Sequence, residues 1–362
     1  MSDIEYMSLA LNMVKGTSGQ TSPNPAVAAI VVNHGRIVGL GAHLKAGEAH
    51  AEVHALNMAG QKAKGGTIYV TLEPCSHFGK TPPCADLIIE KDISRVVIAT
   101  VDPNPQVAGT GIKKLEDAGI EVTVGVMEDE ARQYYQSFFH YIKTKKPYVT
   151  IKMAVSLDGK MATASGESKW ITGPEARKDG HYLRHTHDAI LVGIGTVLAD
   201  NPSLTTRLDD HQGRHPIRII LDRHLRTPIE AIIVNDGLAP TWILTSKEHE
   251  NSQKAADLKT RGANIYYFEN LSIYNVLTFL GQKEIVTLLV EGGSSVHDAF
   301  LQTGKVNQII AYIAPKIIGG QDALTAFGGK GAASLADALP LEFEEMTKIG
   351  NDLKIVAHVK GE

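Results

Sequence analysis

A chain of 362 residues is too long for one ordinary hydrophobic core, and two domains are expected. The formal charge of -4, without a long Lys/Arg run, argues against a nucleic-acid-binding surface. No apolar run reaches membrane length, and the charged-then-apolar pattern of a signal peptide is missing, so a cytoplasmic protein without a membrane partner is expected.

Residues 2–15 read as a helix, with a capping box between Ser2 and Glu5, an apolar face of Ile4, Met7, Leu11 and Val14, and Gly16 as its stop. Pro23-Asn24-Pro25 then precedes a strand at 26–32, a turn at Asn33-His34-Gly35 and a second strand ending near His43. Asn24 and His43 flank strands that lead into the most informative stretch, from Ala49 to Cys84.

In that stretch His50-Ala51-Glu52 follows a helical pattern, residues 67–72 read as a buried strand, and Pro74-Cys75 follows the strand. Residues 82–89 read as a helix entered through a proline at its first position. Cys84 then falls in the first turn, where N–H groups and the helix dipole lower a thiol's pKa. These residue types recur together for a chemical reason. Catalytic zinc takes three His or Cys ligands and leaves one position for water, whose pKa falls to about 7. A carboxylate that does not bind the metal can shuttle protons, and Glu52 is placed for that. On a helix His50 and Glu52 diverge by about 200°, so one binds while the other reaches round.

Two cysteines cannot build a disulfide framework, but both can serve a metal as thiolates. A closed structural zinc usually has four protein ligands, which favours a catalytic site here. Taken singly, buried thiols or a surface pair of His50 and His54 would be the plainer readings. The order His-x-Glu, Pro-Cys, Cys is the signature of zinc nucleobase deaminases. One spacing departs from it: eight residues rather than two separate Cys75 from Cys84, with His77, Gly79, Lys80 and Thr81 among them.

Downstream, a strand at 95–100, a helix at 110–118 closed by Gly119 and a strand at 120–124 form a βαβ unit. Asp102-Pro103-Asn104-Pro105 follows the first of these strands, at the end where α/β sheets place ligands, which makes Asp102 and Asn104 candidate substrate contacts. A helix at 127–140 and the charged connector Lys143-Thr144-Lys145-Lys146-Pro147 close the first domain, so that 1–145 and 146–362 are the expected domains.

A fresh alternation follows: a strand at 148–156, a helix at 174–187, a strand at 189–192 running into Gly193-Ile194-Gly195-Thr196, and strands at 217–221, 241–244 and 264–268. Finally a strand at 287–290 enters Glu291-Gly292-Gly293-Ser294-Ser295 and a helix at 296–302. A glycine turn at a helix start with two hydroxyl residues is a workable phosphate cradle, although a weak signal alone.

The long insertion between the cysteines resembles the pyrimidine deaminases of riboflavin biosynthesis. Lys152-Met153-Ala154-Val155-Ser156-Leu157-Asp158-Gly159-Lys160, Ser168-Lys169-Trp170-Ile171-Thr172, residues 193–202 and Glu291-Gly292-Gly293 resemble the pyrimidine reductase of the same pathway. Nearly the whole chain is thus similar to the bifunctional deaminase-reductase family. The resemblance implies an α/β protein with an N-terminal cytidine-deaminase-like αβα domain and a C-terminal domain of the dihydrofolate reductase fold that uses NADPH.

It also implies roles. Zinc (Zn2+) falls to His50, Cys75 and Cys84, and proton transfer to Glu52. Deaminase substrate contacts fall on Asn24, His43, His77, Lys80, Asp102 and Asn104. In the reductase, Lys152 lies by the reacting centre, and cofactor contacts are Ala154, Trp170, Thr196, Asp200, Gly292 and Gly293. Substrate contacts there are Ser168, Arg184, Leu204, Arg207 and Glu291. The basic Lys152, Arg184 and Arg207 suit a phosphorylated pyrimidine. A homo-oligomer is expected. Two rival readings are a cytidine or tRNA-adenosine deaminase with an accessory domain, and a zinc-stapled binding protein without catalysis.

Overall fold

The computed structural model describes residues 1–76, 82–104, 108–208 and 213–360, and places them in two compact units, Met1–Lys145 and Lys146–Glu362. The insertion residues His77 and Lys80 lie outside the described residues.

In the first unit α1 (Asp3–Gly16) starts at the N-cap Ser2, whose capping box with Glu5 forms as the sequence suggests. Its buried face is Tyr6, Met7, Ala10, Leu11 and Val14; Ile4 is 62% exposed, because it lies on the opposite side of the turn from that stripe. The antiparallel strands β1 (Ala28–Asn33) and β2 (Arg36–Ala42) follow, then α2 (Ala51–Ala59) and β3 (Thr67–Val70). The remaining elements are α3 (Cys84–Glu90), β4 (Arg95–Ile98), α4 (Thr110–Asp117), β5 (Glu121–Val124) and α5 (Glu128–Thr144).

The strands make one sheet in the order β2-β1-β3-β4-β5, parallel from β3 to β5. Because side chains alternate along a strand, Ala28, Ile30 and Val32 pack with α1 and α5, while Ala29 and Val31 pack with α2, α3 and α4. The result is three layers with helices on both faces. Helix α2 lies directly on β2: a Cβ at Gly41 would stand 2.1 Å from the Ala51 carbonyl oxygen, so only glycine permits this approach.

In the second unit β6 (Tyr148–Ser156), α6 (Pro174–Thr186), β7 (Ala189–Gly193) and α7 (Ile194–Asp200) come first. They are followed by β8 (Ile217–Leu221), α8 (Ile232–Asn235), β9 (Thr241–Ser246), α9 (Gln253–Thr260), β10 (Asn264–Phe268) and α10 (Ile273–Gln282). The chain ends with β11 (Thr287–Val290), α11 (Ser294–Leu301), β12 (Gln308–Ala314), β13 (Leu341–Ile349) and β14 (Asp352–Val359).

Nine strands form a sheet in the order β10-β9-β8-β7-β11-β6-β12-β14-β13, parallel from β10 to β12 and antiparallel beyond. One face is covered by α6, α7 and α9, the other by α10 and α11. The parallel strands end on one edge, and the turns after β7 and β11 there carry Gly193 and Glu291. No described helix is long and apolar enough to cross a membrane.

Candidate active sites

The first site forms where α2, β3 and α3 converge. His50 is the N-cap of α2, in extended conformation with φ -74° and ψ 166°, rather than a residue inside the helix. Its ring is therefore free of the 200° divergence that a continuous helix would impose, and both His50 and Glu52 reach the same place. Cys75 follows β3, and Cys84 is the first residue of α3, with Pro83 as its N-cap rather than its first position. The ligand atoms of His50, Cys75 and Cys84 all lie within 4.8 Å of one another. His50 Nδ1 is 3.6 Å from Cys75 Sγ and 3.4 Å from Cys84 Sγ. Two sulfurs and one imidazole nitrogen at this spacing are a donor set that suits zinc and leaves room for a water.

The thiol electrostatics differ from the helix-start expectation. The first N–H of α3, that of Cys84, donates to Cys75 Sγ at 3.3 Å, so the helix end serves Cys75 rather than the residue that begins the helix. A hydrogen bond from Cys84 and another from His50 hold the Cys75 thiol down at about 4, while the same pairing and burial push Cys84 up. Glu52 is 3% exposed, and burial raises its carboxyl to about 7.

Asn24 and His43 are brought here as well. The Ala49 carbonyl, 3.1 Å from His43 Nδ1, can only accept, so Nδ1 carries the proton and Nε2 accepts from Asn24 Nδ2 at 3.2 Å. Burial lowers the His43 pKa, which keeps the ring neutral, and it stands edge-on to His50 at 5.3 Å between centroids.

Asp102 and Asn104 lie on the segment after β4. Asn104 N–H donates to Asp102 Oδ1 at 2.8 Å. The sequence reading missed what anchors this segment. Glu73, 4% exposed and two residues before Cys75, accepts N–H bonds from Asp102, Gly109, Gly111 and Ile112 at 3.0 to 3.3 Å. Its only sequence signal is its place directly before Pro74-Cys75.

The second site gathers on the carboxyl edge of the nine-stranded sheet. Arg184, on α6, makes a two-pronged pair with Glu291 at 2.9 Å for each prong, and Lys152, on β6, is 3.8 Å from the same carboxylate. These side chains are 16, 13 and 20% exposed. Burial opposes the charge on Glu291, yet Arg184 and Lys152 hold its carboxyl at about 2. Arg184 also donates to the Thr205 carbonyl at 3.3 Å, beside Leu204, which takes φ 55°. His181, one turn before Arg184, lies between the Thr205 carbonyl at 3.2 Å and Arg207 at 3.5 Å. Burial, then the charges of Arg184 and Arg207, press its pKa to about 4. It was not among the sequence candidates, although its three-residue spacing from Arg184 is a helix-face signal.

The proposed cofactor residues sit on the same edge. Ala154 follows Lys152 by two along β6 and therefore shares its face. Thr196 lies in the first turn of α7, and Asp200, at its end, pairs with Lys169 at 3.0 Å beside Ser168 and Trp170. Trp170 is exposed, with the Arg177 guanidinium 4.6 Å from its ring. Gly293 caps α11, with open space where a Cβ would stand, and Gly292 N–H donates to the buried His297 Nε2 at 3.3 Å. The two glycine turns interlock, because a Cβ at Gly193 would come within 2.7 Å of Val296 Cγ2. Open backbone at two neighbouring helix starts fits a dinucleotide phosphate.

Comparison with known proteins agrees with this geometry. Residues 1–100 match the family described as cytidine and deoxycytidylate deaminase zinc-binding region, and residues 147–355 match the RibD C-terminal domain. The riboflavin biosynthesis protein RibD of Bacillus amyloliquefaciens is 49% identical over 97% of this chain and 95% of that protein. The structure of Acinetobacter baumannii RibD, form 2, is 37% identical with a TM-score of 0.88 over 99% of each chain. A deaminase/reductase from Thermotoga maritima is 36% identical, again with a TM-score of 0.88, over 99% of this chain and 98% of that one. The expected fold class holds, a cytidine-deaminase-like region followed by one of the dihydrofolate reductase type. The chain belongs to the RibD family of riboflavin biosynthesis.

Proposed function

We propose that the two units divide the family's chemistry, with deamination at the first site and reduction at the second. The chain is a bifunctional enzyme of riboflavin biosynthesis. It hydrolytically deaminates 2,5-diamino-6-(5-phosphoribosylamino)pyrimidin-4(3H)-one and then reduces the ribosylamino group to ribitylamino. Bound zinc supplies an activated water to the first reaction, and bound NADPH supplies the reducing equivalent to the second.

The observation that carries the division is the convergence of His50, Cys75 and Cys84 around the buried Glu52, wholly inside the first unit. In our reading the three hold the metal, and Glu52 moves protons between water, ring and leaving amine. Asn24 and the neutral His43 orient the pyrimidine, together with Asp102 and Asn104. His77 and Lys80 meet the phosphate end. In the second unit Arg184 and Arg207 face the phosphorylated substrate with Ser168, Leu204 and Glu291, and Lys152 stands at the reacting carbon. Ala154, Trp170, Thr196, Asp200, Gly292 and Gly293 hold the cofactor.

We further infer a homo-oligomer in the cytoplasm. The outermost strand β13 carries Phe343 and Met346 at 62 and 63% exposure between charged residues, and large apolar side chains left open on an edge strand are ordinarily covered by a partner. Light scattering of the purified protein tests this, a monomer being the adverse result. The catalytic reading is tested by incubating the protein with the diaminopyrimidinone phosphate, with and without NADPH, and following ammonia and absorbance. Ammonia release should not need NADPH; its absence under both conditions refutes the assignment.

A further inference from the structure

A second convergence of metal-binding side chains lies at the carboxyl ends of β8 and β9, further along the sheet edge from Gly193. His224 stands in the turn that leaves β8, and Glu248 and His249 in the short helical turn that follows β9. One ligand atom from each lies within 4.8 Å of the other two.

The backbone under these residues is fixed by the sheet. Asp222, fully buried, accepts both the N–H and the hydroxyl of Thr227 at 2.7 Å, closing the turn that holds His224, and Leu225 inside it takes φ 49°. The carbonyl of Arg223 accepts Ser246 N–H at 3.1 Å and the Thr245 hydroxyl at 3.2 Å. The residue before His224 is therefore tied to the strand end from which Glu248 and His249 emerge, and the three side chains meet over a preset span.

Two details point to a cation rather than to a chance meeting of surface groups. His249 Nε2 is shielded from solvent and, among the described residues, makes no hydrogen bond of good geometry. Glu248 Oε1 stands 3.3 Å from it, at ion-pair distance. Two zinc bonds of about 2.0–2.1 Å that meet at a tetrahedral angle place their ligand atoms about 3.3 Å apart, so this pair already has the spacing of one edge of a zinc tetrahedron.

We propose that His224, Glu248 and His249 bind a borderline divalent cation of the zinc class, with water completing its coordination. Two imidazoles and one carboxylate select Zn2+, Co2+ or Ni2+ over Mg2+ and Ca2+, which prefer oxygen ligands alone. Affinity is lower than at the thiolate site, because no sulfur contributes and Glu248 is 63% exposed.

The test uses full-length protein whose first site is already filled with zinc. Equilibrium dialysis against Co2+ alone should add one equivalent per chain, with the weak visible absorption of nitrogen and oxygen ligands and without the strong sulfur-to-cobalt band. His224→Ala and the double variant His224→Ala/His249→Ala should lose that equivalent, while ammonia release stays at the wild-type rate. No added equivalent in the wild type overturns the proposal. So does an equivalent that survives in the double variant, which would mark adventitious binding at other histidines. A sulfur-to-cobalt band would show exchange at the first site, and a lack of any further equivalent beside it counts against the proposal equally.

Discussion

The carboxylate of Glu73 accepts the backbone N–H of Asp102 at 3.3 Å, and so joins the segment that bears Asp102 and Asn104 to the loop that bears Cys75. Three more N–H donors, from Gly109, Gly111 and Ile112, converge on the same carboxylate. Glu73→Gln keeps the volume but turns an NH2 toward these donors, and charged hydrogen bonds contribute about 1.5–3 kcal/mol each. The KM of deamination should rise by about tenfold or more, with zinc content and reduction of the deaminated intermediate unchanged. Unaltered KM would show that the segment does not orient substrate; equal loss of zinc would make Glu73 a support of Cys75 instead.

Cys84→Ser and Glu52→Gln should separate binding from proton transfer. The first removes one of the three proposed ligands, so zinc and ammonia release should both fall. The second preserves shape and should retain zinc while deamination drops on the order of 100- to 10,000-fold. Metal analysis beside an ammonia assay reads both. Glu52→Gln activity within threefold of wild type is incompatible with the role given to Glu52.

Lys152→Ala should impair NADPH oxidation and leave ammonia release intact, since Lys152 and the metal-ligand cluster lie in different compact units. Hydride transfer demands near contact between donor and acceptor carbons, so lost positioning should appear in kcat. A folded variant that loses both activities would mean one shared site.

The Glu291 ion pair has a calculable pH signature. Its folded pKa of about 2 lies below the ordinary unfolded value of about 4.3, so the unfolded chain takes up the proton first as pH falls. The contribution is complete above about pH 5 and is lost as the pH drops toward 2. Both tryptophans, Trp170 and Trp242, lie in the second unit, so urea unfolding followed by their fluorescence reports that unit. Glu291→Gln should be destabilised near neutrality by roughly 3–5 kcal/mol, because Arg184 loses its partner. That gap should narrow as pH is lowered from about 6 to about 3. A gap independent of pH would contradict the depressed pKa.

Much of this arrangement was readable from residue order, for identifiable reasons. The bounds of β6, β8, β10 and β11 coincide with their apolar runs, because parallel strands covered on both faces leave little polar interruption. The strands β12, β13 and β14 went unread: β13 is exposed along most of its length, so burial imposes no alternation on it. Helices α9 and α10 were likewise overlooked, although Ser252 and Ser272 cap them in the usual way. The convergence of His50, Cys75 and Cys84 was legible because metal chemistry restricts the residue types that recur together. Glu73 was not, since a carboxylate before Pro-Cys looks like any surface acid until the four N–H groups that fill it are seen. The partner of the helix start was not legible for a related reason: which sulfur the first N–H of α3 meets depends on how the loop from β3 returns, and spacing alone does not encode that.

The interlock of Gly193 with Val296 makes two distant stretches of chain a single heritable part. Any side chain introduced at 193 would strike the branched Val296 in the first turn of α11, and relief would have to come from position 296. Gly193→Ala should therefore be rescued by Val296→Ala more readily than by changes elsewhere. A recombinant that takes one turn from this chain and the other from a diverged relative should inherit a collision where the two turns meet. The natural crossover points for engineering this enzyme thus lie outside the span from 193 to 296.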